Sequence, residues 1–135
     1  MKLFFDTNII VDIVSKRSGY EESFKVLELT DTGYVSTISI TDVMYILRKY
    51  NEQNKVSDIL QKLISILTVA VVTQDDLMYG FSGAMNDFED AVQSSCAKRI
   101  GVDYIITRNV KDFTASPVPA ITPDKFLERW EDEEG

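Results

Sequence analysis

The sequence contains no histidine and only one cysteine, Cys96. The first absence removes histidine-based nucleophile triads, histidine general bases and most zinc hydrolase sites. The second excludes an internal disulfide and a zinc-thiolate site, and it fits a reducing compartment. Cys96 is expected to pack as a small apolar side chain. Positive charge is also short: 14 Lys and Arg stand against 22 Asp and Glu, a net charge of −8. The broad basic footprint of many nucleic-acid binders is therefore missing. A polyanionic substrate would need local help from Lys16, Arg17, Arg48, Lys49, Lys98, Arg99, Arg108 or Lys111. Long apolar runs are lacking too. Met1-Lys2-Leu3 opens no signal-peptide core, and Val69 to Val72 is far too short to cross a bilayer. The chain is expected to be soluble and cytoplasmic, with no membrane partner.

With 135 residues, 44% of them apolar, the chain is long enough to bury one core. No linker, repeat or low-complexity stretch divides it, so residues 1–130 are read as a single domain and 131–135 as an acidic tail. Short apolar strands are expected at Lys2 to Phe5, Tyr34 to Thr37, Val69 to Val72 and Tyr104 to Thr107, with a short edge strand at Ala120-Ile121. Helices are expected over 7–14, 20–30, 39–50, 55–67, 75–84, 87–100 and 123–130. Asp31-Thr32-Gly33 and Gly101 read as stop signals. This alternation predicts an α/β fold, a three-layer α/β/α sandwich with a mostly parallel sheet of four or five strands.

Acidic residues recur just after these strands. Asp6 ends the first, Asp42 opens the helix after the second, Asp87 and Asp90 open a helix after the third, and Asn109 and Asp112 follow the fourth. In an open parallel sheet, ligands bind outside the carboxyl ends of the strands. Carboxylates gathered there repel unless protonated or neutralised by a cation. With neither histidine nor a thiol pair, any metal would have oxygen ligands, which suits Mg²⁺ or Mn²⁺.

Each acid also has a structural reading. Asp6-Thr7-Asn8 is either a helix cap or a ligand and phosphate-binding turn. Ser39-Ile40-Thr41-Asp42 has capping-box spacing, with Ser39 as cap and Asp42 three residues later. Asp87 and Asp90 are i, i+3 neighbours able to approach one ion, and acids also favour a helix start. Glu89 is expected to point away as a solvated charge. Thr107-Arg108-Asn109 repeats the chemistry of Asp6-Thr7-Asn8, and Asp112 either caps the next segment or joins the site.

Phe5-Asp6-Thr7-Asn8-Ile9, Asp90-Ala91-Val92-Gln93 and Asp103-Tyr104-Ile105-Ile106-Thr107-Arg108-Asn109 with Asp112-Phe113 resemble, in order and spacing, the PIN domain family. The likeness spans nearly the whole chain and is similar to the small bacterial members, many of them VapC-type toxins of toxin–antitoxin pairs. It implies a metal-dependent endoribonuclease using one or two Mg²⁺ or Mn²⁺ ions, an RNA substrate, an antitoxin partner and a homodimer. Carried over by motif, Asp6 matches the first acid and Asp90 the third. Asp42 stands where the family often has Glu and is one methylene shorter. Asn109 stands where the family often has Asp, which leaves Asp112 as a candidate for the missing carboxylate. Asp6, Asp42 and Asp90 are the implied catalytic acids, and Asp6, Asp90, Asp87 and Asp112 the implied metal ligands. Thr7, Asn8, Thr107 and Asn109 are implied to orient ligand or phosphate. Two other readings stay open: a PIN-like module that only binds a partner, and a Mg²⁺-dependent phosphoryl-transfer domain of receiver or haloacid-dehalogenase type. The helical pair 39–50 and 55–67 exceeds what one crossover requires. Its residues Met44, Tyr45, Ile46, Ile59 and Ile66 fall partly off the core stripes, which motivates the homodimer.

Overall fold

The computed structural model describes residues 1–49 and 53–134. Strands β1 (Lys2–Phe5), β2 (Thr32–Ser36), β3 (Thr68–Ala70), β4 (Tyr104–Ile106) and β5 (Ala120–Ile121) form one sheet in the order β3-β2-β1-β4-β5, with every pairing parallel. Helices α1 (Thr7–Ser15), α2 (Tyr20–Leu29), α3 (Thr37–Leu47), α4 (Gln53–Ile66), α5 (Gln74–Phe81), α6 (Phe88–Ile100) and α7 (Pro123–Glu134) complete the chain, with a 3-10 turn at Val110–Phe113.

Helices cover both faces of the sheet, and the side chains of β1 show why its run is uninterrupted. Leu3 and Phe5 pack among α1, α2, α3, α4 and α7, whereas Phe4 packs on the opposite side with α6. All three are fully buried. A strand covered on both faces needs apolar residues at every position. On β4, Ile106 joins the first layer and Ile105 the second, in the same alternation.

The strand order has one reversal. From β1 the chain steps outward to β2 and β3, then returns to place β4 on the other side of β1. The carboxyl ends of β1 and β4 therefore flank a topological switch point, the place where open parallel sheets bind ligands. Phe5 pairs with Ile106 there, which sets Asp6 beside Thr107.

Several boundaries differ from those expected. Helix α3 begins directly after β2, and its cap is Ser36, whose Oγ accepts the Ser39 N–H at 3.1 Å. Ser39 is thus the third helical residue rather than the cap, and Asp42 sits further inside the helix, outside any capping box. Gly33 lies within β2 rather than in a stop. A Cβ there would stand 2.7 Å from the side chain of Leu67, the residue after α4, so this close packing accounts for the glycine. Helix α7 continues through the acidic residues 131–134 that were read as a tail. Tyr50, expected to end α3, lies outside the described residues. No helix among the described residues is long and apolar enough to cross a membrane.

Candidate metal and phosphate site

The carboxyl ends of β1 and β4 open into a cleft of about 290 Å³ lined by Asp6, Asn8, Asp87, Glu89, Asp90, Asn109 and Asp112, with Arg17 and Arg108 on one flank. Four chain segments supply these residues.

Asp6 is at the base. It caps α1 by accepting the Thr7 N–H at Oδ1 (2.8 Å). Its Oδ2 accepts the Thr107 hydroxyl at 2.8 Å and the Asn8 amide at 3.1 Å. Thr107, fully buried, also accepts the Asn109 N–H, so one hydroxyl ties the ends of both central strands together. Burial pushes the Asp6 carboxyl above its usual range. The bonds from Thr107 and Thr7 and the charge of Arg108 oppose this, and Asp112 adds to it.

Helix α6 supplies the opposite wall. Asp87 is its cap and accepts the Asp90 N–H at 2.8 Å, so the structural reading of Asp87 holds while it lines the cleft. Asp90 is partly buried, and its pKa rises to about 7. The causes are burial and then the charges of Asp6, Asp87 and Asp112. Residues from β1, α6 and the 3-10 turn thus stand within electrostatic reach of one another.

Glu89 corrects the reading of a solvated charge. It lines the cleft and is half-buried, and its pKa rises to about 8. Burial is the main cause, followed by a hydrogen bond with the Asp42 carboxyl and by the charges of Asp42, Asp6 and Asp87. Helix periodicity alone hid this, because the partner that turns Glu89 inward comes from α3. Asp42 does not line the cleft itself and meets the acidic cluster through Glu89.

Thr7 lines the cleft, but its hydroxyl is engaged behind it. It bonds to Ser39 Oγ at 2.7 Å and accepts from Gln93 Nε2 at 3.2 Å. Gln93 also donates to Ser39 Oγ at 2.8 Å. This buried knot locks α1, α3 and α6 together. Ser39 and Gln93 were not singled out as site supports, although small hydroxyls near a buried helical glutamine were the available signal. Asp112 sits exposed on the 3-10 turn, and its carboxylate takes no hydrogen bond from the described residues. The capping role weighed for it is thus not the one it adopts.

Among the described residues, no three carboxylates converge closely enough to enclose an ion by themselves. The donor set still suits a hard cation, being all oxygen and crowded enough to hold protons near neutral pH. Mg²⁺ is commonly bound through one or two carboxylates and keeps several waters. Asp6 and Asp90 line the same cleft, with Asp87, Glu89 and Asp112 around them.

The raised pKa values couple stability to pH. Unfolded, Asp90 and Glu89 titrate near 3.8 and 4.5, whereas folded they retain protons to about 7 and 8. The stability tied to their protonated forms is fully present below the unfolded values and is lost as pH rises through the folded ones. Both groups are partly exposed, so screening limits the effect to about 1–3 kcal/mol. Melts in EDTA are expected to show a lower Tm at pH 8.5 than at pH 6, and millimolar Mn²⁺ at pH 8.5 is expected to restore it. A flat profile that Mn²⁺ does not move would exclude the coupling.

The layout is shared with known proteins. The chain is 29% identical over 140 residues to Ribonuclease VapC1 of Aquifex aeolicus (strain VF5), covering 96% of this chain and 95% of that protein. A chain of a toxin–antitoxin complex from Klebsiella pneumoniae superposes with a TM-score of 0.71 at 26% identity, covering 90% of this chain and 97% of that one. VapBC2 of Rickettsia felis, solved bound to a DNA fragment from its promoter, superposes with a TM-score of 0.71 at 20% identity, covering 90% and 98%. This last is a likeness of fold. Residues 2–111 match the family described as PIN domain, a span that contains every strand-end acid except Asp112. By fold, by the switch-point position of its acids and by this match, the chain belongs to the PIN domain family.

Proposed function

We propose that this protein is a divalent-metal-dependent endoribonuclease and the toxin of a toxin–antitoxin pair. The observation that carries the reading is the acidic cluster at the β1/β4 switch point, where burial first, and then the charges of Asp6, Asp87 and Asp112, push the Asp90 pKa up to about 7. A cluster that must hold protons when empty is one that a cation relieves. The resemblance to Ribonuclease VapC1 and to a toxin–antitoxin chain supports the substrate and the partner. The family match sets aside the receiver and dehalogenase alternatives.

Asp6 and Asp90 would hold the cation, Mg²⁺ or Mn²⁺, and Asp87 and Asp112 would add negative charge around it. When bound, the ion neutralises the carboxylates and stabilises negative charge on the reacting phosphodiester. Thr107 and Asn8 fix the Asp6 carboxylate, so it needs little reorganisation to engage. Asn109 lines the cleft, and its side-chain amide has no partner among the described residues. It is free to orient a phosphate oxygen. Glu89, beside Asp42, keeps a proton at the edge of the cleft and would exchange it with solvent there.

The purified protein, incubated with single-stranded and stem-loop RNA, is expected to cut with Mg²⁺ or Mn²⁺ and to stop on EDTA addition. RNA that is bound but never cut would favour a binding module. The neighbouring gene is expected to encode a small DNA-binding protein.

A homodimer completes the proposal. Tyr45, Ile46, Ile59 and Ile66 are exposed as expected, whereas Met44 packs partly against the core. A second exposed group, Leu77, Met78, Phe81 and Phe88 on α5 and α6, was not anticipated. Light scattering at micromolar concentration is expected to give twice the 15.3 kDa chain mass, and a monomer mass unchanged on dilution would exclude the dimer.

A further inference from the structure

Asp12 has no place in the acidic cluster, yet it is among the most buried charged side chains. It is 2% exposed, and its Oδ2 is held by Arg108 Nε at 2.8 Å. Its Oδ1 is buried with no hydrogen-bond partner among the described residues. A buried carboxylate is costly unless paired, and a pair serving stability alone is often matched by apolar residues of the same volume. Arg108 is not positioned as a purely internal counter-ion. Its side chain is 47% exposed, and it meets Asp12 Oδ2 through Nε. The terminal guanidinium nitrogens make no hydrogen bond to the described residues, and the side chain lines the cleft beside Asp6, Asn8 and Asn109.

Arg17 stands on the same flank. The chain turns back at Lys16, which adopts a left-handed conformation (φ 54°), and the Arg17 N–H then donates to the Asp12 carbonyl at 3.0 Å. Three other cations are engaged elsewhere: Arg99 on Asp76 and the Val71 carbonyl, Arg48 and Lys49 over the Tyr45 ring. In a chain of net charge −8, Arg108 and Arg17 are the positive side of an otherwise acidic cleft.

We propose that Arg108, held at its root by buried Asp12 and flanked by Arg17, binds the RNA phosphate next to the one that is cut, on the α1 side of the acidic cluster. A guanidinium fixed through Nε keeps two terminal amino groups for one phosphate, the forked geometry that ammonium groups lack. Asp12 is the positioning residue and Arg108 the binding one. This assignment rests on the ribonuclease reading.

The test is anisotropy of a labelled single-stranded RNA with the Asp90→Asn protein, which binds without cutting, measured across salt concentrations. In that parent, the pair Asp12→Asn/Arg108→Gln removes both charges of the buried ion pair while keeping polar side chains of similar size. It is expected to weaken binding roughly 10-fold and to reduce the salt slope by about one. Arg17→Ala is expected to act in the same direction with smaller size. Arg108→Lys is expected to recover the salt slope but not the full affinity. An unchanged Kd and slope in the folded pair variant would overturn the anchor. If the pair variant does not fold, an unchanged slope in Arg17→Ala overturns it, since Arg17 makes no buried ion pair. A parent that binds RNA with unaffected variants removes the anchor alone. A parent that does not bind, together with a wild-type chain that does not cut, removes the ribonuclease reading as well.

Discussion

Asp90→Asn is expected to lower metal-dependent RNA cleavage by at least about 100-fold, the scale for losing one group that supports transition-state charge. The same change is expected to make the metal-free protein more stable. Asp90 is held partly buried among Asp6, Asp87 and Asp112, and its ionised form is disfavoured by all of them. Asparagine keeps the shape and removes the charge. The α6 cap survives, because Asp87 accepts from the backbone N–H of residue 90, not from its side chain. A gain of about 1 kcal/mol in EDTA at pH 8.5 corresponds to roughly 3–6 °C in Tm for a chain of this size. The pH slope of the melt is expected to shrink with it. Loss of cleavage joined to a higher Tm marks a residue placed for function at a structural cost. Loss of cleavage joined to a lower Tm would instead make Asp90 a structural residue.

Asp6→Ala is expected to behave differently, losing cleavage and stability together. Its carboxylate serves the Thr7 N–H, the Asn8 amide and the buried Thr107 hydroxyl at once. Alanine removes a helix cap, worth about 1 kcal/mol, and leaves a buried hydroxyl without its acceptor, at about 1–3 kcal/mol. Relief of the buried charge offsets part of this, so a net loss of about 1–3 kcal/mol is expected at pH 6, read by urea melts. Asp6→Asn keeps an acceptor and is expected to lose cleavage with a smaller stability change. Equal stability of the alanine variant and wild type would mean that the Asp6 hydrogen bonds do not hold the junction of β1 and β4.

These contrasting roles show what was legible beforehand. Leu3-Phe4-Phe5 and Tyr104-Ile105-Ile106 announced buried strands, and the acid after the first announced a candidate site at the carboxyl ends of the strands, because both features follow from local pattern. The parallel sheet and its helices on both faces followed from the same alternation. Glu89 was misread because its neighbours in the helix say nothing about Asp42, which arrives from α3. Ser39 was misread as a cap because Ser36, three residues earlier, offers the same hydroxyl, and only the end of β2 decides between them. The pairing of Asp12 with Arg108 spans 96 positions of sequence and could not be seen from either side. Local chemistry was readable; contacts between distant segments were not.

The central claim is that the acids at the ends of β1 and α6 form one divalent cation site. Its most direct test is a crystal of the wild-type chain grown or soaked with Mn²⁺ and measured for anomalous scattering. A peak is expected in the cleft, contacted by the carboxylates of both Asp6 and Asp90, that disappears in Asp90→Asn. A fully soaked crystal with no peak there, or with Mn²⁺ bound only away from Asp6, would contradict it.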